Sequence, residues 1–395
     1  MNQINTHKYV LVGGGSGGHL TPLVPVAEEI KKLDSRAFII HIGQKGDPLN
    51  SITNQESVFD QTVQVSAGKF RRYHGEHWLR RLVDIRTFYF NVRDLFRFLV
   101  GIVQSFRLLR RLKPDIIFTK GGYVCAPVGL AAGILGIPYI THDSDAMVSL
   151  AHRLIAKKAS LHLTAMPAEM YVPKYELIKT KQVGVPVRKE FHFVDNKSKQ
   201  QARKKLGYEQ NHHIVLVVGG GLGARNINEA VVSQSASLLK DKSLNIIHIS
   251  GNKLFDETIK EYAAVIDSEK QKQVNCIAFT DEIYVYSAAA DVVITRAGAT
   301  NMAELAAQAK ACIVIPSPVL AGGHQLKNAD ALKRSSAALV LQESELENLE
   351  NEVRKLLNSE DQRKELEKRL HELSNNSAAQ TIAGFLVDAA DTKRI

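Results

Sequence analysis

The stretch Gly13-Gly14-Gly15-Ser16-Gly17-Gly18-His19 follows the apolar residues 9–12 and precedes a segment with the pattern of a helix. Thr21-Pro22 is a typical helix start, because a hydroxyl residue can cap the first turn and proline suits the first helical position. A glycine-rich turn between a strand and a helix lets backbone N–H groups approach an anion, and the helix dipole favours negative charge there. The stretch therefore predicts an anion-binding loop near the start of an α/β fold.

The glycine spacing also fits a dinucleotide-binding loop, which demands an acidic residue at the end of the next strand. That strand, residues 38–42, ends in Gly43-Gln44, and Asp47 comes late. A nicotinamide or flavin dinucleotide is therefore disfavoured. His19 follows the glycines directly, where a group that reacts with a ligand would lie. The alternative is structural, with His19 capping or packing beneath the loop.

A chain of 395 residues is long enough for two or three domains, and its apolar fraction is that of a globular protein. Cys125, Cys276 and Cys312 match neither metal nor disulfide spacing, which suits a reducing compartment. The first residues are polar and lead into a strand, so no signal peptide is expected. The longest apolar stretch, residues 128–140, is too short to span a bilayer.

The net charge of +10 comes entirely from residues 1–186, since the rest of the chain carries equal numbers of acidic and basic residues. The excess is densest over residues 69–113, where arginines alternate with aromatic and aliphatic residues. This mixture is typical of a segment that binds the surface of an anionic membrane. Nucleic acid is the other candidate partner, but no known nucleic-acid-binding module is present, so none is expected. Alternatively, the aromatic residues form core and the arginines a solvated face.

Strand and helix patterns alternate along the chain, including a long basic helical region over about 77–111. A second strand–glycine-loop–helix opening at 214–232 repeats the one at 9–30. This repetition predicts two doubly wound α/β domains, each with a mostly parallel sheet. The polar, lysine-rich residues 189–211 are expected to form the boundary. The ligand is expected in the cleft where the carboxyl ends of both sheets meet.

The second half of the chain carries further candidates for ligand contacts. Residues 296–300 follow a strand and open a helix, an arrangement that could face a diphosphate. Glu304 lies a short step into that helix, where a carboxylate can accept hydrogen bonds from both hydroxyls of a ribose; stabilising the helix start is the alternative. Gln325 and Asn328 could read sugar hydroxyls through their amides or act as helix caps.

Five motifs occur in one order, and with this spacing the sequence resembles the MurG-type N-acetylglucosaminyltransferases of peptidoglycan synthesis, in glycosyltransferase family 28. The motifs are Gly13-Gly14-Gly15-Ser16-Gly17-Gly18-His19, Gly121-Gly122-Tyr123-Val124, Gly184-Val185-Pro186-Val187-Arg188, Arg296-Ala297-Gly298-Ala299 with Glu304, and His324-Gln325 with Asn328. The resemblance covers nearly the whole chain. It implies a GT-B fold with two Rossmann-like domains on either side of a cleft. These domains are residues 1–186 with about 377–395, and residues 187–376.

The resemblance implies a hexosyltransferase that moves N-acetylglucosamine from UDP-N-acetylglucosamine to undecaprenyl-diphosphate-N-acetylmuramoyl-pentapeptide. This step converts lipid I to lipid II, with inversion at the anomeric carbon, in cell wall biogenesis. The implied location is the cytoplasmic face of the cell membrane. The resemblance implies neither a cofactor nor a metal for the reaction. Because the membrane carries the acceptor, the basic residues 69–113 would serve to bind the enzyme to the membrane surface. The alternatives are a glycolipid synthase, a UDP-N-acetylglucosamine epimerase or a non-catalytic nucleotide-sugar-binding protein.

Carried over residue by residue, the family pattern places the donor's uracil, ribose and diphosphate on the second domain. The implied donor contacts are Glu304 at the ribose, Thr280 near the uracil, Gln325 at the sugar, Arg188 at the hinge, and Ala299, Thr300, Asn301, Met302 and Ala303 near the phosphates. Asp145 and Gly221 match further donor-site positions.

On the first domain, Ser16, Gly17 and Gly18 match a loop that faces the reaction centre and touches both donor and acceptor. Tyr123 belongs to the implied acceptor side. His19 matches a residue often considered as the general base, and neutral imidazole is available near pH 7. Asp143 and Asp145 are the alternative bases.

The sequence departs from the family pattern at three places. His142-Asp143-Ser144-Asp145 stands where the family usually has His-Glu-Gln-Asn, so Asp145 replaces an asparagine that contacts substrate. A carboxylate near a diphosphate needs a cation, a proton or a different role. Gly221-Leu222 replaces Ser-Gln, which leaves backbone N–H groups to serve the donor phosphate. Ser16 keeps the hydroxyl of the usual threonine.

Overall fold

The computed structural model describes residues 6–47, 49–50, 53, 56–69, 85–220, 223–319 and 323–392. The chain divides into two compact units, one formed by Met1–Arg188 with Asn375–Ile395 and the other by Lys189–Ser374. Gly221 and the part of the predicted basic helix that precedes residue 85 lie outside the described residues.

Within its described residues, the first unit contains a seven-stranded parallel sheet in the order β3-β2-β1-β4-β5-β6-β7. Its strands are β1 (Lys8–Gly13), β2 (Phe38–Gln44), β3 (Gln61–Val65), β4 (Ile116–Gly121), β5 (Tyr139–Asp143), β6 (Leu161–Thr164) and β7 (Thr180–Gln182). The strand order reverses between β1 and β4, which end in register at Gly13 and Gly121. Ligands of such sheets bind outside the carboxyl ends of the strands at this reversal.

The second unit repeats this plan with six described parallel strands in the order β10-β9-β8-β11-β12-β13. They are β8 (His213–Val218), β9 (Leu244–Ile249), β10 (Val274–Ile277), β11 (Val292–Thr295), β12 (Cys312–Val314) and β13 (Leu339–Val340). Here the order reverses between β8 and β11. The second glycine loop and residues 296–300 follow these two strands, so both loops lie at the reversal point.

Helices connect the strands, as parallel pairing requires. They are α1 (Gly17–Leu20), α2 (Leu23–Leu33), α3 (Ile85–Leu112), α4 (Cys125–Leu135), α5 (Leu150–Ile155), α6 (Asn196–Leu206), α7 (Arg225–Leu238), α8 (Phe255–Val265), α9 (Ser268–Gln271), α10 (Ile283–Ala289), α11 (Ala299–Ala307), α12 (His324–Arg334), α13 (Leu349–Asn358), α14 (Glu360–His371) and α15 (Ala378–Thr392). In each unit the helices bury one apolar cluster on either face of the sheet.

The last helix, α15, belongs to the core of the first unit. Its residues Ile382 and Leu386 are fully buried together with Leu23 and Ile30 of α2. Truncation of such a buried side chain to alanine costs about 2–5 kcal/mol. The end of the chain is therefore part of the packing that supports the first glycine loop.

Two elements differ from the sequence pattern. Residues 189–211, expected to form a polar boundary, contain the helix α6, which Asp195 caps by accepting the Ser198 N–H at 2.8 Å. Arg203 and Lys199 fasten this helix to the sheet through the buried Asp291, at 2.7 and 2.6 Å. The edge strand β7 was not predicted, because Thr-Lys-Gln offers no apolar alternation.

Candidate active site

The first glycine loop folds over the carboxyl end of β1 and is held from the neighbouring strand. The Gly15 N–H donates to Asp47 Oδ2 at 2.5 Å, and the Leu49 N–H donates to Asp47 Oδ1 at 3.1 Å. Asp47 lies too far beyond β2 to bind the ribose of a dinucleotide, and it binds the glycine loop itself. The His19 N–H donates to the Ser16 carbonyl at 3.1 Å and closes the turn that begins α1.

The loop after β4 lies against this glycine loop. Gly122 has a φ of +88°, and a β-carbon there would collide with the carbonyl of Gly14, so only glycine fits. A β-carbon at Gly121 would lie 2.6 Å from His19 Nδ1, and one at Gly15 would lie 3.4 Å from the Tyr123 ring. The structure therefore brings the half-buried His19 and Tyr123 together around the two glycine motifs.

Asp143, an alternative general base, ends β5 and is buried. Its carboxylate accepts hydrogen bonds from the Tyr175 hydroxyl and from the Ser149 N–H at 3.1 Å, and it pairs with His152 Nδ1 at 3.0 Å. Burial raises the pKa of this carboxyl, but His152, Tyr175 and Ser149 outweigh it and hold the pKa well below its usual range. A general base must reach the proton that it removes. This placement argues against Asp143 as the base and leaves His19 and Asp145 as the candidates.

Lys120, which lies outside the five motifs, is one residue before the end of β4 and is only 1% exposed. Its Nζ donates to Ser144 Oγ at 2.6 Å, in the loop that follows β5. Burial lowers the pKa of the Lys120 ammonium to about 8, against the opposing effect of Asp145 and Asp143. Buried parallel strands consist mostly of apolar residues, so a lysine shortly after the apolar residues 116–118 is unusual. This pattern could have marked Lys120 as a candidate from the sequence.

The motif that ends in Arg188 is fastened to the same edge of the first sheet. His142 Nε2 lies 2.8 Å from the carbonyl oxygen of Gly184, and Asn375 Nδ2 donates to the Val183 carbonyl at 2.9 Å. Arg188 is half-buried and is the last residue of the unit before the chain enters the second one.

In the second unit, residues 296–300 are fixed by hydrogen bonds on both sides. Asn301 Nδ2 donates to Thr295 Oγ1 at 2.6 Å, and Asn328 Nδ2 donates to the Ala297 carbonyl at 2.9 Å. Arg296 pairs with Glu343 at 2.5 Å. The N–H groups in the first turn of a helix lack intrahelical acceptors, so the start of α11 offers backbone donors that can bind an anion.

The remaining predicted donor residues fall into two groups. Ala299, Thr300, Ala303 and Glu304 are partly exposed on α11. Met302 instead packs its side chain into the core, and its N–H donates to the Gly298 carbonyl at 2.9 Å. A direct contact between the Met302 side chain and a donor is therefore not supported.

Thr280 and Gln325 each have one side-chain oxygen engaged locally. Thr280 Oγ1 accepts the Glu282 N–H at 3.1 Å, before α10 begins. Gln325 Oε1 accepts the Ser317 N–H at 2.9 Å. These bonds orient both side chains, and the Gln325 amide nitrogen is the group of that residue that can donate to a ligand.

A buried polar network lies beneath the second glycine loop. His248 Nε2 lies 3.1 Å from Asn228 Oδ1, and His248 Nδ1 lies 2.9 Å from the Tyr262 hydroxyl. Burial lowers the pKa of His248 to about 3, so the ring is neutral, with one nitrogen donating and the other accepting. Asn228 also donates to the Ser250 carbonyl at 3.0 Å and thereby fixes the start of α7.

Two further properties concern the described part of the chain. It contains no group of three or more His, Cys, Asp or Glu side chains that could hold a metal ion. None of its helices is both long enough and apolar enough to cross a membrane.

Residues 9–163 match the glycosyltransferase family 28 N-terminal domain, and residues 214–382 match the glycosyltransferase family 28 C-terminal domain. A relative from Thermoanaerobacter sp. (strain X514), named UDP-N-acetylglucosamine--N-acetylmuramyl-(pentapeptide) pyrophosphoryl-undecaprenol N-acetylglucosamine transferase, is 30% identical over 380 residues. That match covers 95% of this chain and 98% of the relative.

Solved structures agree on the fold. The crystal structure of Acinetobacter baumannii MurG matches with a TM-score of 0.68 at 21% identity, covering 97% of this chain and all of that one. A putative UDP-N-acetylglucosamine 2-epimerase from Listeria monocytogenes matches with a TM-score of 0.69 at 10% identity, covering 98% of each chain. At these identities the likeness shows the fold alone.

Two parallel α/β sheets of this kind, with motif loops at their carboxyl edges, define the GT-B fold with two Rossmann-like domains. The domain matches and the nearly full-length relative together show that the chain belongs to glycosyltransferase family 28. The predicted fold class and the resemblance drawn from the five motifs are confirmed.

Proposed function

We propose that this enzyme transfers N-acetylglucosamine from UDP-N-acetylglucosamine to undecaprenyl-diphosphate-N-acetylmuramoyl-pentapeptide, converting lipid I to lipid II in peptidoglycan synthesis. The observation that supports this proposal most strongly is the position of the family motifs in the fold. The motif loops after β1, β4 and β11 lie at the carboxyl edge of a sheet where strand order reverses, and side-chain hydrogen bonds fix the loops after β1 and β11. The long relative named for this reaction supports the same assignment.

The second unit would bind the donor. The diphosphate approaches the first-turn N–H groups of α11, whose partial positive charge compensates the phosphates. Glu304, on the same helix, accepts hydrogen bonds from the ribose hydroxyls. The Gln325 amide donates to the sugar, and Arg188, which the family pattern matches to the donor site, adds a positive charge.

The first unit would bind the acceptor and supply the base. His19 removes the proton from the acceptor hydroxyl as that oxygen attacks the anomeric carbon. The bond from this carbon to the UDP oxygen breaks on the opposite face, so the configuration inverts, and UDP leaves with the bonding electron pair. Backbone dipoles at the glycine loop and at α11 stabilise the charge that develops on the phosphates.

A membrane-facing surface completes the proposal, and we define it as the apolar stripe of α3. Its exposed members follow helical spacing along one side: Phe88, Tyr89, Val92, Leu95, Phe96, Leu99, Val100 and Val103. Phe88 and Phe96 are 68% and 64% exposed, so the stripe presents contiguous large apolar side chains on the surface of its unit.

The opposite side of α3 packs on its own unit. Asp94, Ser105 and Leu109 are buried there, and Gly101 permits close approach to the carbonyl of Ser66. Exposed arginines flank the stripe, including Arg97 and the residues at the end of the helix. Apolar insertion plus attraction of arginines to anionic headgroups supports peripheral binding at the cytoplasmic face of the membrane, where the lipid acceptor is carried.

The test is UDP release by the full-length chain, with UDP-N-acetylglucosamine and either the lipid-linked acceptor or no acceptor. The proposal expects release that depends on the acceptor and increases when the acceptor is presented in anionic vesicles. Formation of an epimerised UDP-sugar from the donor alone would support the epimerase instead. Donor binding without release with several acceptors would support a non-catalytic binding protein.

A further inference from the structure

The carboxylate of Glu343 binds two segments of the second unit that lie far apart in sequence. Glu343 begins a short 3-10 helix, Glu343–Asn348, just after β13. Its Oε1 pairs with Arg296 Nη1 at 2.5 Å, and its Oε2 accepts a hydrogen bond from Asn226 Nδ2 at 2.8 Å. The Glu343 and Arg296 side chains are 16% and 13% exposed, so this ion pair is largely shielded from water. Both oxygens of the carboxylate therefore engage the protein itself.

The two partners of Glu343 lie at the edge of the sheet where the donor site is proposed. Asn226 is in the first turn of α7, which follows β8, and Arg296 follows β11 directly. The last residues of these two strands, Val218 and Thr295, are paired in register. The strand order reverses between β8 and β11. Glu343 therefore bridges the two segments that leave the sheet on either side of the reversal point.

Arg296 is fixed from a second direction as well. The nitrogen that pairs with Glu343, Nη1, also donates to the Ile315 carbonyl at 3.1 Å, one residue beyond β12. A guanidinium group is planar and rigid, so two acceptors on one nitrogen restrict the orientation of the whole group. The segment that leads from β11 into α11 is thus attached to Glu343 through a stiff link.

We propose that Glu343 is a positioning residue of the donor site. By binding Arg296 and Asn226 together, it holds the starts of α11 and α7 at the separation that the two phosphates of a nucleoside diphosphate require. Each helix start offers backbone N–H groups that lack intrahelical acceptors, so their spacing determines how well both phosphates are bound. This inference rests on the proposed function for the location of the donor site, whereas the contacts of Glu343 do not.

The charge of Glu343 favours a positioning role over direct contact with the donor. An uncompensated carboxylate beside a diphosphate would repel it, whereas the Arg296 guanidinium compensates Glu343. A binding site gains affinity when its donors are ordered before the ligand arrives, because less conformational freedom is lost on binding. Loss of Glu343 removes this order from both helix starts, but it also releases the positive charge of Arg296. These two effects change the affinity for UDP in opposite directions, so a binding experiment separates them.

UDP binding to the full-length chain, measured by isothermal titration calorimetry, tests the inference. Glu343→Ala removes both contacts and should raise the Kd for UDP by about tenfold. Glu343→Gln keeps one acceptor oxygen, so it should raise the Kd by less, about threefold. Binding of uridine, measured by competition, should change by less than about twofold in either variant, because uridine has no phosphates to be positioned. If Glu343→Ala does not fold, Glu343→Gln provides the same test.

A double-mutant cycle with Asn226→Ala tests the contact itself. Asn226→Ala alone should raise the Kd for UDP by about threefold, whereas in the Glu343→Ala background it should change the Kd by less than about twofold. Glu350→Ala is the matched control, because Glu350 accepts Ser237 Oγ at 2.6 Å and Arg354 Nε at 2.8 Å near the other end of α7. It should lower the urea midpoint for unfolding without changing the Kd for UDP.

The outcomes distinguish this inference from the proposed function. If the wild type binds UDP and Glu343→Ala binds it equally well or more tightly, the inference is overturned, whatever the transfer activity. Equal weakening of UDP and uridine binding would also overturn it, since the defect would not concern the diphosphate. If the expected changes in UDP binding occur but no N-acetylglucosamine is transferred, the proposed function fails and the inference holds. A wild type that does not bind UDP would overturn both.

Discussion

The Gly15 N–H donates to Asp47 Oδ2 at 2.5 Å, although the two residues are 32 positions apart. Asp47 thereby ties the first glycine loop to the loop after β2. Hydrogen bonds to charged groups contribute about 1.5–3 kcal/mol, so this bond has a large share in fixing the loop.

Asp47→Asn should lower kcat/KM by about tenfold or more, because about 1.4 kcal/mol of positioning corresponds to a factor of ten. Steady-state UDP release with the lipid-linked acceptor measures it. Asp115→Asn is the matched control, since Asp115 accepts the Lys8 N–H at 2.8 Å at the opposite end of β1. An equal loss of activity in both variants would contradict a specific role of Asp47 at the loop.

His19 and Asp143 are predicted to fail in different ways when substituted. His19→Gln should reduce kcat by about a hundredfold or more while the urea midpoint stays near that of the wild type, because the base is lost. Asp143→Asn should destabilise the protein by about 3–5 kcal/mol, because it leaves the buried His152 without its partner. Full activity of His19→Gln would refute the assignment of the base.

The buried pair of His152 and Asp143 predicts a characteristic pH dependence of stability. Burial lowers the pKa of His152, but Asp143 outweighs it and raises that pKa to about 10. His152 therefore contributes its full stabilisation to the folded protein below its unfolded pKa of about 6.5. This stabilisation is lost as the pH rises toward about 10. The pKa of Asp143 is lowered, so Asp143 contributes its stabilisation to the folded protein above its unfolded pKa of about 3.9. This stabilisation is lost as the pH falls further.

Urea unfolding of the wild type and His152→Gln, measured from pH 6 to pH 9.5, checks this prediction. The difference in the free energy of unfolding between the two proteins should shrink steadily as the pH rises. A difference that stays constant or grows over this range would show that His152 does not gain a proton on folding.

The apolar stripe of α3 predicts membrane binding that depends on individual aromatic residues. Phe88→Ser combined with Phe96→Ser should weaken binding to anionic vesicles by roughly a thousandfold, since insertion of each ring contributes about 2 kcal/mol and about 1.4 kcal/mol corresponds to a factor of ten. Cosedimentation with vesicles measures it. Ile178→Ser is the control, because Ile178 is 84% exposed but lies outside the stripe. Unchanged binding of the double variant would exclude this surface.

The sequence predicted the two parallel sheets because repeated strand–glycine-loop–helix openings are local signals that do not depend on distant contacts. The helix α6 was missed although Asp195 and Gly207 offer cap signals, because its charged residues lack an apolar face. The short strand β7 exists through pairing with β6 at the sheet edge, and its own residues carry no strand pattern.

The site could be predicted only in part for a similar reason. Motifs singled out His19, Tyr123 and Glu304 as candidates, but the partners that fix the motifs are distant in sequence. Lys120 and Ser144, for example, are 24 residues apart. Such pairs arise when parallel strands bring their carboxyl ends to one edge, so a single sequence shows the residues without showing which of them meet.

Transfer of labelled N-acetylglucosamine from the donor to the lipid fraction is the most direct test of the central claim. Label is expected to enter the lipid-linked disaccharide in equal amount to the UDP released, and only when the muramoyl-pentapeptide lipid is present. Release of UDP without label in the lipid, or an epimerised UDP-sugar formed from the donor alone, would contradict it.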